Sequence, residues 1–292
     1  MAQSKAKLLT FQNFGCIIFV TKQMLGVRKV EKKYLEFAKD IALKAGEVMR
    51  HYFKGDNGAS YKYDQTIVTK ADKEINEYLI SRVKEVFPTH AVDGEEEKYG
   101  ESEYKWICDP VDGTAMYARH IPVAVFSLAL AKDGAPFVGV IYDPFTNNMY
   151  SAIKGKGAYF NEEKMSVNDY EIVDMRAVSN FDIWPAAEYN IIDVIRELGE
   201  KTYLVSLGSL IRGCACVANG EFIASIFPGT VNKYCDLAAA KVIVEEAGGK
   251  VTDLFGNEQR YDQTVNGAII SNGKVHNDIL KVVNKYLKNH KV

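Results

Sequence analysis

Trp106-Ile107-Cys108-Asp109-Pro110-Val111-Asp112-Gly113-Thr114 is the stretch on which the reading of this chain turns. An apolar strand runs into two carboxylates three residues apart, with a proline between them and a glycine and a threonine behind. Asp109 and Asp112 can point into one cavity, where they would repel each other unless a cation lies between them. Hard oxygen ligands of this kind suit Mg²⁺. Pro110 removes a backbone donor and stiffens the turn, and Gly113 lets a ligand approach the main chain. Thr114 opens a helical turn whose N–H groups favour an anion. The same residues also serve ordinary turn chemistry, so this stretch alone does not decide the matter.

Three further acidic places lie around it in the sequence: Asp93-Gly94-Glu95-Glu96 after a short apolar strand, Asp236 at the opening of a helix, and Val68-Thr69-Lys70-Ala71-Asp72 at the start of another. Singly, each has a structural use. Glu95 fits a solvated acidic run, Asp236 a first-turn acid and Asp72 a capping box with Thr69.

The periodicity around these motifs is mixed. Tyr34, Phe37, Ala38, Ile41, Ala45, Val48, Met49 and Tyr52 follow the i, i+3, i+4 spacing of an amphipathic helix. A second helix is predicted over Ala71–Phe87, stopped by Pro88. Tyr104–Cys108, Val123–Ala131, Phe137–Tyr142 and Met149–Ile153 read as an antiparallel meander. The second half alternates helices (Ala186–Leu198, Ser209–Ala218, Asp236–Ala247, His276–Leu287) with short strands. We therefore expect an α/β (α+β) fold: residues 1–29 as a poorly structured extension, 30–166 as an N-terminal subdomain with the antiparallel sheet, and 167–292 as a C-terminal α/β subdomain completing the site.

Composition narrows the function classes. The 292 residues carry 36 Lys+Arg against 38 Asp+Glu, a formal net charge of −2. That balance gives no field for nucleic acid or an acidic membrane. The apolar run Phe14–Val20 is too short to span a bilayer and no small-residue cleavage site follows it. The odd count of five cysteines without a CxxC pair fits reduced thiols in a cytoplasm.

Together, Gly94-Glu95-Glu96, Trp106-x-x-Asp109-Pro110-x-Asp112-Gly113-Thr114 and Asp236-x-Ala238-Ala239…Glu246-Ala247-Gly248-Gly249 resemble, in order and separation, the signatures of the inositol monophosphatase family of metal-dependent phosphatases. Val68-Thr69-x-x-Asp72, Gly139-Val140-Ile141-Tyr142 and Gly155-Lys156-Gly157-Ala158 extend the similarity to roughly Tyr34–Leu287. The resemblance implies a layered α-β-α-β-α sandwich, two to three Mg²⁺ ions, inhibition by Li⁺, a cytoplasmic homodimer and a small phosphate ester as substrate. It implies Glu95, Asp109, Asp112 and Asp236 as metal ligands through side chains, and Val111 through its carbonyl. Asp72 and Thr114 would be the pair that activates the attacking water, with Gly113 and Thr114 holding phosphate through backbone N–H groups. Ser209 and Lys233 are further substrate-binding candidates, Lys233 for a second phosphate.

No histidine falls inside these motifs, which agrees with metal-activated water and no phosphoenzyme. Two positions depart from the family pattern. Gly229 stands where inositol-selective members carry a hydroxyl-binding acid, and Leu210 replaces a smaller residue. Inositol 1-phosphate is the leading substrate type; fructose 1,6-bisphosphate, histidinol phosphate and 3′-phosphoadenosine 5′-phosphate are the alternatives.

Overall fold

A computed structural model describes residues 30–63, 66–182, 187–229 and 235–287. The expected extension 1–29 and Lys233 lie outside the described residues. The chain opens with α1 (30–53), then β1 (Ser60–Tyr61), β2 (Ile67–Val68), α2 (Lys70–Val86), β3 (Ala91–Gly94), β4 (Lys98–Tyr99), β5 (Tyr104–Asp112) and α3 (Thr114–Tyr117). There follow β6 (Val125–Lys132), β7 (Ala135–Asp143), β8 (Asn148–Ile153), β9 (Ala158–Phe160) and β10 (Glu163–Lys164). The last part carries β11 (Val178–Phe181), α4 (Ile192–Gly199), β12 (Tyr203–Val205), α5 (Leu210–Ala218), β13 (Ala224–Phe227), α6 (Cys235–Glu246), β14 (Lys250–Thr252), β15 (Ala268–Ser271) and α7 (His276–Leu287).

Two sheets set the layers. The larger has the order β10-β9-β8-β7-β6-β5-β3-β4, an antiparallel meander to which β3 adds in parallel beside β5; the smaller runs β12-β11-β13-β15-β14. Alternation along the strands assigns their faces. On β6, Phe126, Leu128 and Leu130 pack with α1 and α2, whereas Val125, Ala129 and Ala131 pack with α5 and α6. On β15, Ala268 and Ile270 face α5 and α6 from the other side, while Ile269 joins α4 and α7. The result is helix pair, sheet, helix pair, sheet, helix pair: the expected five-layer sandwich. Helix α6 is buried almost all round, from Cys235 to Val244. Its Leu237-Ala238-Ala239-Ala240 run fits a helix pressed between two sheets, with no solvent face to make it amphipathic.

Two expectations shift. The helix expected from residue 186 begins at Ile192; the Asn190 side chain, which accepts from the Ile192 N–H at 3.1 Å, favours a turn before it. The strand expected to stop at Cys108 continues to Asp112. Its pairing with β6 is interrupted by a bulge between Asp109 and Asp112, and Pro110, which has no N–H to give the ladder, lies inside that bulge.

Candidate active site

Parallel pairing is what brings the first two acids together. Gly94 of β3 is in register with Cys108 of β5, and the Glu95 N–H donates to the Cys108 carbonyl at 3.1 Å. Glu95 and Asp109 are the next residues after that last pair, Glu95 at the entry of the 94–97 turn and Asp109 still in β5. Both charges reach the Cys108 thiol, which burial first, then Asp109 and Glu95, push well up. The Lys62 ammonium lies 3.1 Å from Glu95 Oε1 and also pairs with Glu96.

Beyond the bulge the backbone turns sharply. The Val111 N–H donates to Asp109 Oδ1 at 3.0 Å, and Gly113 adopts φ 88°, a left-handed conformation that glycine takes without a Cβ clash. Gly113 thereby caps α3, and the Thr114 hydroxyl donates back to the Val111 carbonyl at 2.7 Å. Asp112 is carried inward to the start of α5. Its Oδ2 accepts from the Ser209 hydroxyl and from the Ile211 N–H at 2.8 Å. Burial, and next the charge of Asp236, push its carboxyl up to about 8, against the pull of Ser209. Asp236, in the first turn of α6, accepts from the Cys235 thiol at 3.2 Å.

Asp72 is wholly buried on the first turn of α2. Its Oδ2 accepts from the Thr69 N–H at 2.8 Å and the Thr69 hydroxyl at 2.5 Å, closing a capping box. Its Oδ1 is buried with no hydrogen-bond partner among the described residues. Burial pushes its carboxyl up to about 7, Thr69 pulls it down, and Glu95 and Glu96 raise it further.

The structure gives two expected residues other hydrogen-bond partners. Thr114 donates to Val111 and Asp72 accepts from Thr69, so they are not hydrogen-bonded to each other as they stand; the helix end and the tight turn satisfy these groups locally. Ser209, expected at the substrate, is 1% exposed and is the N-cap of α5, accepting from the Arg212 N–H at 3.2 Å while holding Asp112. One acid escaped the sequence reading. Asp182, just past β11, is raised to about 6 by burial and then by Asp236, so its charge adds to the same acidic group. Nothing in its surroundings (Asn180-Phe181-Asp182) marks it; only the β11–β13 pairing brings it there.

Among the described residues no three His, Cys, Asp or Glu side chains close around a single point as an ion cage. Their charges are felt in groups instead: Glu95 raises Asp72, Asp236 and Asp182 raise Asp112, and Asp109 and Glu95 both act on the Cys108 thiol. The donor set is all hard oxygen. Together with the orphaned buried Asp72 Oδ1, and carboxyls raised by burial and then by one another's charge, it fits a divalent cation such as Mg²⁺.

This constellation on a five-layer sandwich defines a class. The chain belongs to the inositol monophosphatase family, whose sequence profile matches residues 31–288, and is a hydrolase of phosphate monoesters. Among particular relatives, the fructose-1,6-bisphosphatase/inositol-1-monophosphatase of Aquifex aeolicus is 33% identical over 270 residues, spanning 88% of this chain and 97% of that protein. Inositol monophosphatase 1 of Homo sapiens is 28% identical over 82% of this chain and 90% of its own length. The solved structure of a Thermotoga maritima IMPase superposes with a TM-score of 0.78 at 27% identity, covering 88% of this chain and 98% of that one.

Proposed function

We propose that this chain is a Mg²⁺-dependent, Li⁺-sensitive phosphomonoesterase for a small polyol or sugar phosphate, of the inositol 1-phosphate type. The observation that supports the reading most is the β3–β5 register, in which the pairing ends one residue short of Glu95 and Asp109, with Asp112 beyond the bulge feeling the charge of Asp236. When bound, Mg²⁺ supplies charge neutralisation at the phosphate and a water of lowered pKa. Glu95, Asp109, Asp112, Asp236 and the Val111 carbonyl would hold it.

The chain's own residues do the rest. Gly113 and Thr114 offer N–H groups to the phosphate at the head of the α3 turn. Asp72, buried with its Oδ1 left without a partner among the described residues, is the group to take the proton of the attacking water. Ser209 and the Ile211 N–H keep Asp112 Oδ2 occupied, so that Asp112 presents its other oxygen. Lys233 remains a candidate for a second phosphate. In support of a second reading, fructose 1,6-bisphosphate, two relatives carry both activities in their names. Buried reduced cysteines at 108, 214, 216 and 235 favour a reducing cytoplasm, and the family resemblance favours a homodimer.

Phosphate release from inositol 1-phosphate, fructose 1,6-bisphosphate, histidinol phosphate and 3′-phosphoadenosine 5′-phosphate, with and without Mg²⁺ and Li⁺, tests this. Mg²⁺-dependent turnover of the first, suppressed by Li⁺, is expected. Turnover undiminished in EDTA would overturn the mechanism.

A further inference from the structure

Helix α2 carries a second buried polar side chain one turn beyond Asp72. Asn76 is 1% exposed, and its Nδ2 donates to the Glu97 carbonyl at 3.1 Å. The same carbonyl accepts the Gly94 N–H at 3.2 Å, so one oxygen closes the 94–97 turn from within and ties it to the helix. The contact is tight on the other side as well. A Cβ on Gly94 would lie 1.9 Å from Asn76 Oδ1 and 2.8 Å from the Glu97 carbonyl. The turn packed this way carries Glu95 between its two ends, and Glu95 is also fixed through its N–H to Cys108.

The geometry points to Asn76 as a positioning residue for Glu95. Its amide holds the 94–97 turn against α2, and since Asp72 sits on the first turn of the same rigid helix, one element sets the spacing between the carboxylate at residue 95 and the candidate base at residue 72. The inference rests on the reading of Glu95 as a Mg²⁺ ligand. Groups that orient a metal ligand from behind commonly account for 10–100-fold of metal affinity.

Calorimetric titration of the metal-free full chain with MgCl₂ reads this without turnover. Asn76→Leu and, from the opposite side of the contact, Gly94→Ala are expected to weaken Mg²⁺ binding about 10–100-fold. The Mg²⁺ concentration giving half-maximal phosphate release should move by the same factor. Ile80→Ala, a core change on the next turn of α2, is the comparison for simple destabilisation: it lowers Tm and leaves Mg²⁺ affinity within about twofold. Glu95→Gln separates the two layers of the argument. If Glu95→Gln loses Mg²⁺ affinity while Asn76→Leu and Gly94→Ala keep it within twofold, Asn76 does not position Glu95. If Glu95→Gln binds Mg²⁺ like the parent, Glu95 is no ligand and the inference falls with that reading. Should Asn76→Leu not fold, Asn76→Ala, which removes the same donor without added bulk, decides in its place.

Discussion

Asp112→Asn separates the cost of burying an acid from its use. In the native chain this carboxyl is raised to about 8 by burial and by Asp236, whereas in the unfolded chain it titrates near 3.8. The native state therefore keeps a proton that the unfolded state has lost, and stability without metal falls as pH rises through that window. Removing that uncharged-carboxyl requirement favours the asparagine variant by an amount on the order of a few kcal/mol at neutral pH. An asparagine carries no charge, and its carbonyl can still accept from Ser209 and the Ile211 N–H. In EDTA at pH 7, urea denaturation should find Asp112→Asn more stable than the parent by that amount, with the gap closing toward pH 4. Mg²⁺-dependent phosphate release should meanwhile fall by ~10²-fold or more. A variant less stable than the parent at pH 7, or one that still turns over normally, would refute the reasoning.

Three other outcomes follow from the packing and the turn. Trp106 is wholly buried with its ring 5.0 Å from Phe37 and 5.7 Å from Phe87. Trp106→Ala should cost about 3–5 kcal/mol in urea, and Trp106→Phe much less, because the indole N–H has no acceptor among the described residues. Gly113→Ala places a methyl 2.9 Å from the Gly208 carbonyl at φ 88°; a loss of about 1–3 kcal/mol and ~10²-fold in turnover is expected, read by denaturation and phosphate release. His276, between the Ser271 and Thr252 hydroxyls, is lowered to about 4 by burial and then by Lys250. The unfolded chain takes up that proton near pH 6.5, so stability should drop by about 2 kcal/mol as pH falls from 6.5 to 4, and His276→Asn should flatten the slope.

Much of the architecture could be read from local pattern. The meander β5–β8 announced itself through alternation and turn residues, and α2 through its Thr69–Asp72 box and Pro88. The five-layer order came from the family resemblance; periodicity alone does not say which sheet covers which helix. α6 shows why: its alanine-rich run has no polar face, so its place between two sheets emerges only from packing. At the site, the ordered acidic motifs could be seen, but their juxtaposition could not. Glu95 and Asp109 follow the last pair of a parallel register that no local signal encodes, and Asp182 follows a strand pairing between residues 45 apart in the chain. Ser209 reads in the sequence as a substrate-binding candidate, whereas in the fold its hydroxyl caps α5, accepting from the Arg212 N–H, and donates to Asp112. Asn76 was hidden for a related reason: a lone asparagine inside a helix looks like surface until its partner carbonyl is known.

The central claim is that Glu95, Asp109, Asp112 and Asp236 gather around divalent cations. A crystal grown with MnCl₂, its manganese located by anomalous scattering, tests this most directly. The account predicts anomalous peaks bonded to those four side chains, at least one of them also reaching the Val111 carbonyl. Manganese absent from these carboxylates at millimolar concentration, or bound by other residues, would contradict it.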